Sequence, residues 1–505
     1  MKFGLRWYDS ILILLFIYLF VLQILTIWPF TIDDMYISLR YAKHWAEGNG
    51  LLWNLHSSPV EGYSNFIFVV LGAFTLLIKG NPVFVLKITG LLGIFFTCCF
   101  IYLISRFWFP RRESVLPSLG LLLYKGQIIW ATSGLETAFY EALISGSVYF
   151  CLRAIGYQSF PGARKKSQNG YFIFAGVFLS LAGLTRPEAP VLMILFFLLI
   201  CWDRPKEDLK KYWQGVFFFC LTLVIFYAPY FLWRILYYGF LFPNSVYCKG
   251  FSSKVTLFLD IQYIKLIWPF AVLAVPACIK AQDRRHYFLW LPSLVYLLIL
   301  ADADPIVAFD NRLFLPVFAL LLPLALQGIS TIVHDFWQKE DYVFGLLFYL
   351  GCIGVAFFFI PAMSLADYHY FCQNPLRGEE LRGKVINWLN RNTHAGESVV
   401  LSDSGMIPYV SDLNFIDSYC LNNLSMAHYS AEQRYEQFCK EILLEKPEII
   451  ILTSLIEQGQ IIYTPSDRCL RKLLLKQNEY KISNTFVTNS SKSIYRYELF
   501  KHVSD

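Results

Sequence analysis

Eleven apolar runs, each near the length needed to cross a bilayer, occupy most of the first 363 residues. A hydrocarbon core about 30 Å thick needs about 20 apolar helical residues, fewer where Trp, Tyr, Lys or Arg anchor the ends. The runs fall near residues 11–28, 83–105, 114–131, 137–153, 171–185, 189–202, 214–233, 257–279, 286–301, 313–330 and 342–363. Inside lipid the backbone must satisfy its own polar groups, which helices do. The predicted fold class is therefore a polytopic α-helical membrane protein with about 11 transmembrane helices. Composition agrees: 56% of the 505 residues are hydrophobic, 18% aromatic and only 16% charged, against about 25% charged in soluble domains.

Charge is distributed unevenly. Residues 1–363 carry 48 charged side chains and are net +8, while residues 364–505 carry 32 and are net −2. This predicts a membrane domain over 1–363 and a soluble α/β domain over 364–505. Basic connections with Arg106, Arg111 and Arg112, then Arg153, Arg164, Lys165 and Lys166, then Arg204, Lys206, Lys210 and Lys211, then Lys280, Arg284 and Arg285 alternate with basic-poor ones. The positive-inside rule puts these on the cytoplasmic side together with Lys2 and Arg6. Eleven crossings then leave the tail outside. The expected arrangement has the N-terminus cytoplasmic and the tail extracytoplasmic. Residues 64–79 are apolar but short, and counting them as a span would invert this arrangement. They read as a re-entrant or interfacial helix. The cytoplasmic connections are too short for a nucleotide-binding domain, and there is no phosphate-cradling Gly-rich loop. That excludes an ATP-driven pump and direct use of a nucleotide-sugar.

The first external loop, 29–82, holds two adjacent acids, Asp33 and Asp34. A helix follows from Met35, with Ile37, Tyr41 and Trp45 on one face, Arg40, Lys43 and Glu47 on the other, and Gly48 as its stop. One acid at a helix start is an ordinary cap. Two together raise one pKa and supply a candidate base.

Further along come Pro59-Val60-Glu61-Gly62-Tyr63-Ser64-Asn65-Phe66, then Ser133-Gly134-Leu135-Glu136-Thr137, then Leu184-Thr185-Arg186-Pro187-Glu188-Ala189. Pro243-Asn244-Ser245-Val246-Tyr247-Cys248-Lys249, Asn311-Arg312-Leu313-Phe314-Leu315-Pro316 and Asp403-Ser404-Gly405-Met406 complete the series. In this order the motifs resemble a bacterial family of GT-C membrane glycosyltransferases, best known from the mycobacterial terminal β-arabinofuranosyltransferases. The resemblance covers nearly the whole chain.

The resemblance implies transfer of a sugar from a polyprenyl-phosphate donor to a cell-envelope glycan, glycolipid or protein acceptor at the outer face. A pentofuranose such as arabinofuranose is one candidate sugar. Asp33 and Asp34 match the family's acidic motif, with Asp33 the first choice as general base. Phosphate leaves readily as an anion, so the demanding step is activation of the acceptor hydroxyl. A single base and direct displacement imply inversion. Arg40, Arg186, Lys249 and Arg312 are the cations for the phosphate. Tyr41, Glu61, Tyr63, Asn65, Glu136, Glu188, Asn244 and Tyr247 complete the substrate-binding candidates. Each has a structural alternative: caps for Tyr63, Ser64 and Asn65, a local ion pair for Arg186 with Glu188, and snorkelling for Lys249 and Arg312. Asp302, Asp304 and Asp310 could hold a divalent cation, but no rigid turn motif calls for one. A monomer is expected, and no nucleic acid.

In the tail, the sequence predicts helices over 382–392 and 433–444, strands over 398–402 and 448–453, and a hairpin over 480–487 and 494–500. Asp417 and Asn423 read as exposed loop residues. Cys372, Cys420, Cys439 and Cys469 allow three pairings and match no zinc spacing; free thiols or one adventitious bridge are expected. The competing functions are a secondary transporter and a polysaccharide polymerase or ligase. The first would want polar residues mid-span and internal repeats, and the second a large late loop.

Overall fold

The computed structural model describes residues 7–55, 57–205, 208–248, 253–301, 309–338, 365–430, 432–488 and 493–503, with isolated helical positions at 343, 347, 351 and 354. The eleventh run, Lys249, Asp302 and Asp304 lie wholly or largely outside the described residues. The chain forms two compact units interleaved in sequence. One comprises Met1–Trp28, Lys87–Trp233 and Ser253–Tyr368; the other comprises Pro29–Leu86, Arg234–Ser252 and His369–Asp505.

The first unit is helical. Among the described residues, four stretches are long and apolar enough to cross a membrane: Pro82–Ser105, Leu209–Tyr238, Asp260–Ile279 and Phe309–Asp335. The last is the central one. Its apolar window is 83% buried, against 22% for Leu209–Tyr238. Close packing explains the Gly328 position: a Cβ there would lie 1.6 Å from the Leu273 carbonyl oxygen. Small residues let helices approach closely where lipid supplies no hydrophobic drive.

The run predicted over 114–131 is not one helix. It divides into Leu116–Leu123 and Lys125–Thr132, with Tyr124 extended between them. Tyr124 donates its hydroxyl hydrogen to the Asp310 carbonyl (2.9 Å) and accepts from Asn311 Nδ2 (3.0 Å). Packing against the 309–314 turn therefore outweighs helix continuity. The runs over 171–185 and 189–202 form helices Asn169–Thr185 and Ala189–Trp202. They part at Arg186, which is extended because Pro187 follows it.

The second unit is a three-layer α/β structure. Strands β1 (Ser398–Leu401), β2 (Asn414–Asp417), β3 (Ile449–Glu457), β4 (Gln460–Tyr463), β5 (Tyr480–Val487) and β6 (Ser493–His502) form one sheet in the order β2-β1-β3-β6-β5, with β4 on β3. β1 is parallel to β2 and β3; β6 is antiparallel to β3 and β5. Alternation along the strands divides the core. Val399, Leu401, Ile449 and Ile451 face Leu381, Val385 and Leu389 of helix Leu365–Asn392, together with Tyr41, Trp53 and Tyr63 of the first loop. Val400, Ile450 and Leu452 face Phe438 and Ile442 of helix Arg434–Leu444 and Leu470 of helix Pro465–Leu474. Burying both faces of the sheet accounts for the unbroken apolar run at the start of β3.

Two expectations are corrected here. Asp417 is not an exposed loop residue. It is 1% exposed at the end of β2, where its carboxylate accepts from the N–H groups of Tyr419 and Asn422 and from Asn422 Nδ2. Asn423 is half-buried and caps helix Leu424–His428 by accepting from the Met426 N–H. The cysteine pairing also differs: Cys420 bonds not to a tail cysteine but to Cys248, 172 residues earlier. Cys439 and Cys469 are free.

Two predictions follow from this packing. Cys248→Ser or Cys420→Ser removes a crosslink that restrains a long loop, and should destabilise the second unit by about 2–4 kcal/mol; thermal melts with and without reductant check this. The second concerns Asp467, which opens helix Pro465–Leu474 and accepts from Ser402 Oγ (2.7 Å) and the Thr453 N–H (3.0 Å). Burial pushes its carboxyl up to about 7. A raised carboxyl pKa contributes stability at low pH that is lost as pH rises from about 4 to about 7. Asp467→Asn removes that decline, so melting temperatures of variant and wild type should diverge in the variant's favour between about pH 4 and about pH 7.

Candidate functional site

Thr31 begins the anchoring of the first loop, donating to Glu379 Oε1 (2.5 Å). Asp33 occupies the cap position of helix Asp34–Ala46, yet its side chain makes no capping bond. It turns instead to the tail, where Oδ1 accepts from the Met406 N–H (3.0 Å) and pairs with Arg382 Nε (3.0 Å). The same Nε lies 3.0 Å from Asp403 Oδ2, and Tyr497 donates to that oxygen. Gly405 is required: a Cβ there would fall 2.1 Å from Asp33 Oδ2. Only 12%, 16% and 13% of the Asp33, Arg382 and Asp403 side chains remain exposed.

Two carboxylates share one guanidinium here. Burial, with the Asp403 charge adding to it, pushes Asp33 well above the usual carboxylate range and overcomes the opposing pull of Arg382. Asp403 is held below its usual range despite its burial, by Arg382 and by hydrogen bonds from Asp33 and Tyr497. The shared guanidinium and the mutual repulsion of the two carboxylates thus push their titrations apart, Asp33 upward and Asp403 downward. Asp34 is the next residue, half-buried in the first helical turn.

The rest of this loop is built inward. Arg40, expected on a polar face, is buried. Its N–H groups go to the carbonyls of Trp53, Pro408, Ser411 and Leu413 and to Asn54 Oδ1. All five of its donors are engaged inside the second unit, so its contacts are structural ones rather than the phosphate contact expected of it. Tyr41 is also buried, its hydroxyl within hydrogen-bonding distance of the Val60 carbonyl (2.8 Å) and Asn422 Oδ1 (3.1 Å) and accepting from the Gly62 N–H. Tyr63 meets Tyr238 hydroxyl to hydroxyl at 3.1 Å, and Asn65 accepts from Ser38 Oγ at 2.7 Å. Glu61 is ion-paired with Arg234 at 2.7 Å, and its carbonyl accepts from the Asn244 N–H. Tyr247 is half-buried, and its carbonyl accepts from Arg434.

The first unit gathers residues of three motifs. Arg186 Nη1 lies 2.7 Å from Glu136 Oε1, and its Nε and Nη2 donate to Glu188 Oε1 at 2.8 and 2.6 Å. Arg312 Nη2 reaches Glu136 Oε1 at 3.4 Å, its Nε faces Thr137 Oγ1, and its guanidinium sits 4.9 Å from the Trp130 ring. Two arginines and two glutamates balance in charge, so the cluster can be buried. Extended Arg186 and the positions flanking the helix starts make this meeting possible.

Sequence reasoning missed Arg382, Tyr497, Arg234 and Asn422. Each is distant in the chain from its partner and carries no local motif. Among the described residues, no group of three or more His, Cys, Asp or Glu side chains is placed to hold a metal.

A domain family of unknown function, DUF8728, matches residues 369–500. No curated protein matches the sequence. Solved structures do resemble it. ArnT from Cupriavidus metallidurans, bound to undecaprenyl phosphate, is 11% identical with a TM-score of 0.60, covering 96% of this chain and 97% of that one. The Archaeoglobus fulgidus oligosaccharyltransferase is 11% identical with a TM-score of 0.60, covering 95% and 80%. The mycobacterial arabinofuranosyltransferase AftD is 11% identical with a TM-score of 0.54, covering 97% of this chain and 40% of its own. The chain is thus a multi-pass membrane protein with the GT-C glycosyltransferase fold, the fold that its ordered motifs imply.

Proposed function

We propose that the protein is a GT-C glycosyltransferase that moves a sugar from a polyprenyl-phosphate donor to an acceptor hydroxyl, with inversion, at the outer face of the membrane. The observation that carries this reading is Asp33 of the first-loop acid pair, held in a fixed place by Arg382 and the Met406 N–H. A base needs a defined position before it needs a pKa. Asp33, buried and bonded to Arg382 and the Met406 N–H, serves as the positioning residue, and Asp34 beside it removes the acceptor proton. The Cys248–Cys420 bond supports an extracytoplasmic second unit, since disulfides persist in oxidising compartments. Arg186 and Arg312 share Glu136, and we assign them to the donor phosphate, whose oxygens can take up the same donors. A pentofuranose remains a candidate sugar on the strength of the motif resemblance.

The transporter reading has one observation in its favour. Glu141, inside the 137–153 run, is fully buried and accepts from Gln127 Nε2 at 2.9 Å. Buried intramembrane acids mark ion paths in transporters.

A membrane assay with defined polyprenyl-phosphate sugars tests the main reading. Asp34→Asn should lower kcat by about 10²–10⁴-fold, the range of general-base catalysis. Asp33→Asn should lower both rate and melting temperature, because it disturbs the bridge. Transfer at wild-type rate in both variants would sink the catalytic assignment. Arg312→Gln should raise the donor KM more than it lowers kcat; a fall in melting temperature with unchanged KM would instead mark the cluster as structural.

A further inference from the structure

The second unit contains a recess that the acid pair does not use. It is lined by Glu61, Asn244, Leu424 and four aromatic side chains, among others, and measures about 210 Å³ including its mouth. Two polar side chains line it, each at least 96% buried: Glu61 at 3% exposure and Asn244 at 4%. Glu61 uses Oε2 for Arg234, and its Oε1 has no hydrogen-bond partner. Asn244 directs Nδ2 at three carbonyls, those of Cys420 (3.1 Å), Leu421 (2.9 Å) and Asn423 (3.2 Å). Those contacts fix the orientation of the amide, because only its nitrogen can donate to carbonyls. The Asn244 oxygen therefore points away from them, and it too has no partner. Buried acceptors are almost always satisfied in folded proteins, so two on one recess call for a donor.

We propose that this recess is a sugar subsite, in which Glu61 Oε1 and Asn244 Oδ1 accept hydrogen bonds from one hydroxyl-bearing end of a glycan. Three features select that chemistry. Both free atoms are acceptors, so the ligand must donate. Glu61 is already neutralised by Arg234 at 2.7 Å, so the recess carries no net charge to attract a cation or an anion. Its walls include Tyr238, Phe240, Phe242 and Tyr247, aromatic surfaces suited to the C–H face of a sugar. The recess is too small for a whole sugar ring, so a single hydroxymethyl or ring hydroxyl would enter it. The Cys248–Cys420 bond and the Asn244 contacts to Cys420 and Leu421 hold one wall in place before any ligand arrives.

This inference rests on the transferase reading, and the test separates the two. Full-length protein in detergent is probed by saturation-transfer NMR with methyl pentofuranosides and methyl hexopyranosides. Transfer kinetics are measured with polyprenyl-phosphate sugars and glycoside acceptors. Two variants of different kinds are compared with wild type: Glu61→Gln, which removes the carboxylate at constant size, and Leu424→Trp, which fills the mouth and leaves the Glu61–Arg234 pair untouched. The expected result is glycoside binding by wild type, weakened about tenfold in both variants, equivalent to about 1.4 kcal/mol. A KM rise confined to the acceptor assigns the sugar to the acceptor; a rise confined to the donor assigns it to the donor. Glycoside binding and both KM values unchanged in the two variants would overturn the subsite, even while wild-type transfer upholds the transferase reading. If no donor is turned over but glycoside binding is lost in Leu424→Trp, the subsite stands and the transferase reading falls. An absence of glycoside binding by wild type, with KM unchanged in the variants, means that a solvent molecule alone satisfies the two acceptors, and the proposal fails.

Discussion

The second unit depends on the shared guanidinium of Arg382. A loop residue near position 33 and a strand-end residue near position 403 are brought together around one buried cation. Taking three charged groups from water is costly, and their mutual attraction offsets this only with good geometry and further hydrogen bonds. Here the further bonds come from the Met406 N–H and the Tyr497 hydroxyl. The arrangement is unforgiving, because loss of any one member leaves an uncompensated group among apolar neighbours.

The same economy recurs in the first unit. Glu136, Arg186, Glu188 and Arg312 come from three separate stretches and balance in charge. Arg186 reaches the cluster only because Pro187 forces it out of the helical region. A backbone restriction thus sets the direction of a side chain, and the side chain then ties together segments distant in sequence. Arg186 spends Nε, Nη1 and Nη2 on two glutamates, a planar fork that lysine could not match.

The membrane class was legible from apolar run length alone, because bilayer thickness imposes it. Most tail elements were legible too: β1, β3 and the late hairpin follow apolar alternation and turn chemistry. The order of motifs pointed to the fold. Three things were hidden. Tyr124 breaks a run that is uniformly apolar, for a reason that lies 186 residues away at the Asp310 carbonyl. Arg40 sits on the polar stripe of an amphipathic pattern but is buried, because a second surface covers the helix. Cys420 finds a partner outside its own domain of sequence. In each case the deciding contact is long-range, and local periodicity carries no trace of it.

The second unit is discontinuous, and its order of synthesis therefore matters. Its first segment emerges from the ribosome early, its second about 200 residues later, and its sheet last of all. Tyr41, Trp53 and Tyr63 face strands that do not yet exist when they are made. Until β1 and β3 arrive, these aromatic residues have no core to join, and Cys248 waits 172 residues for Cys420. The core of this unit therefore closes only after its last strands are made, at a point in the chain beyond both cysteines.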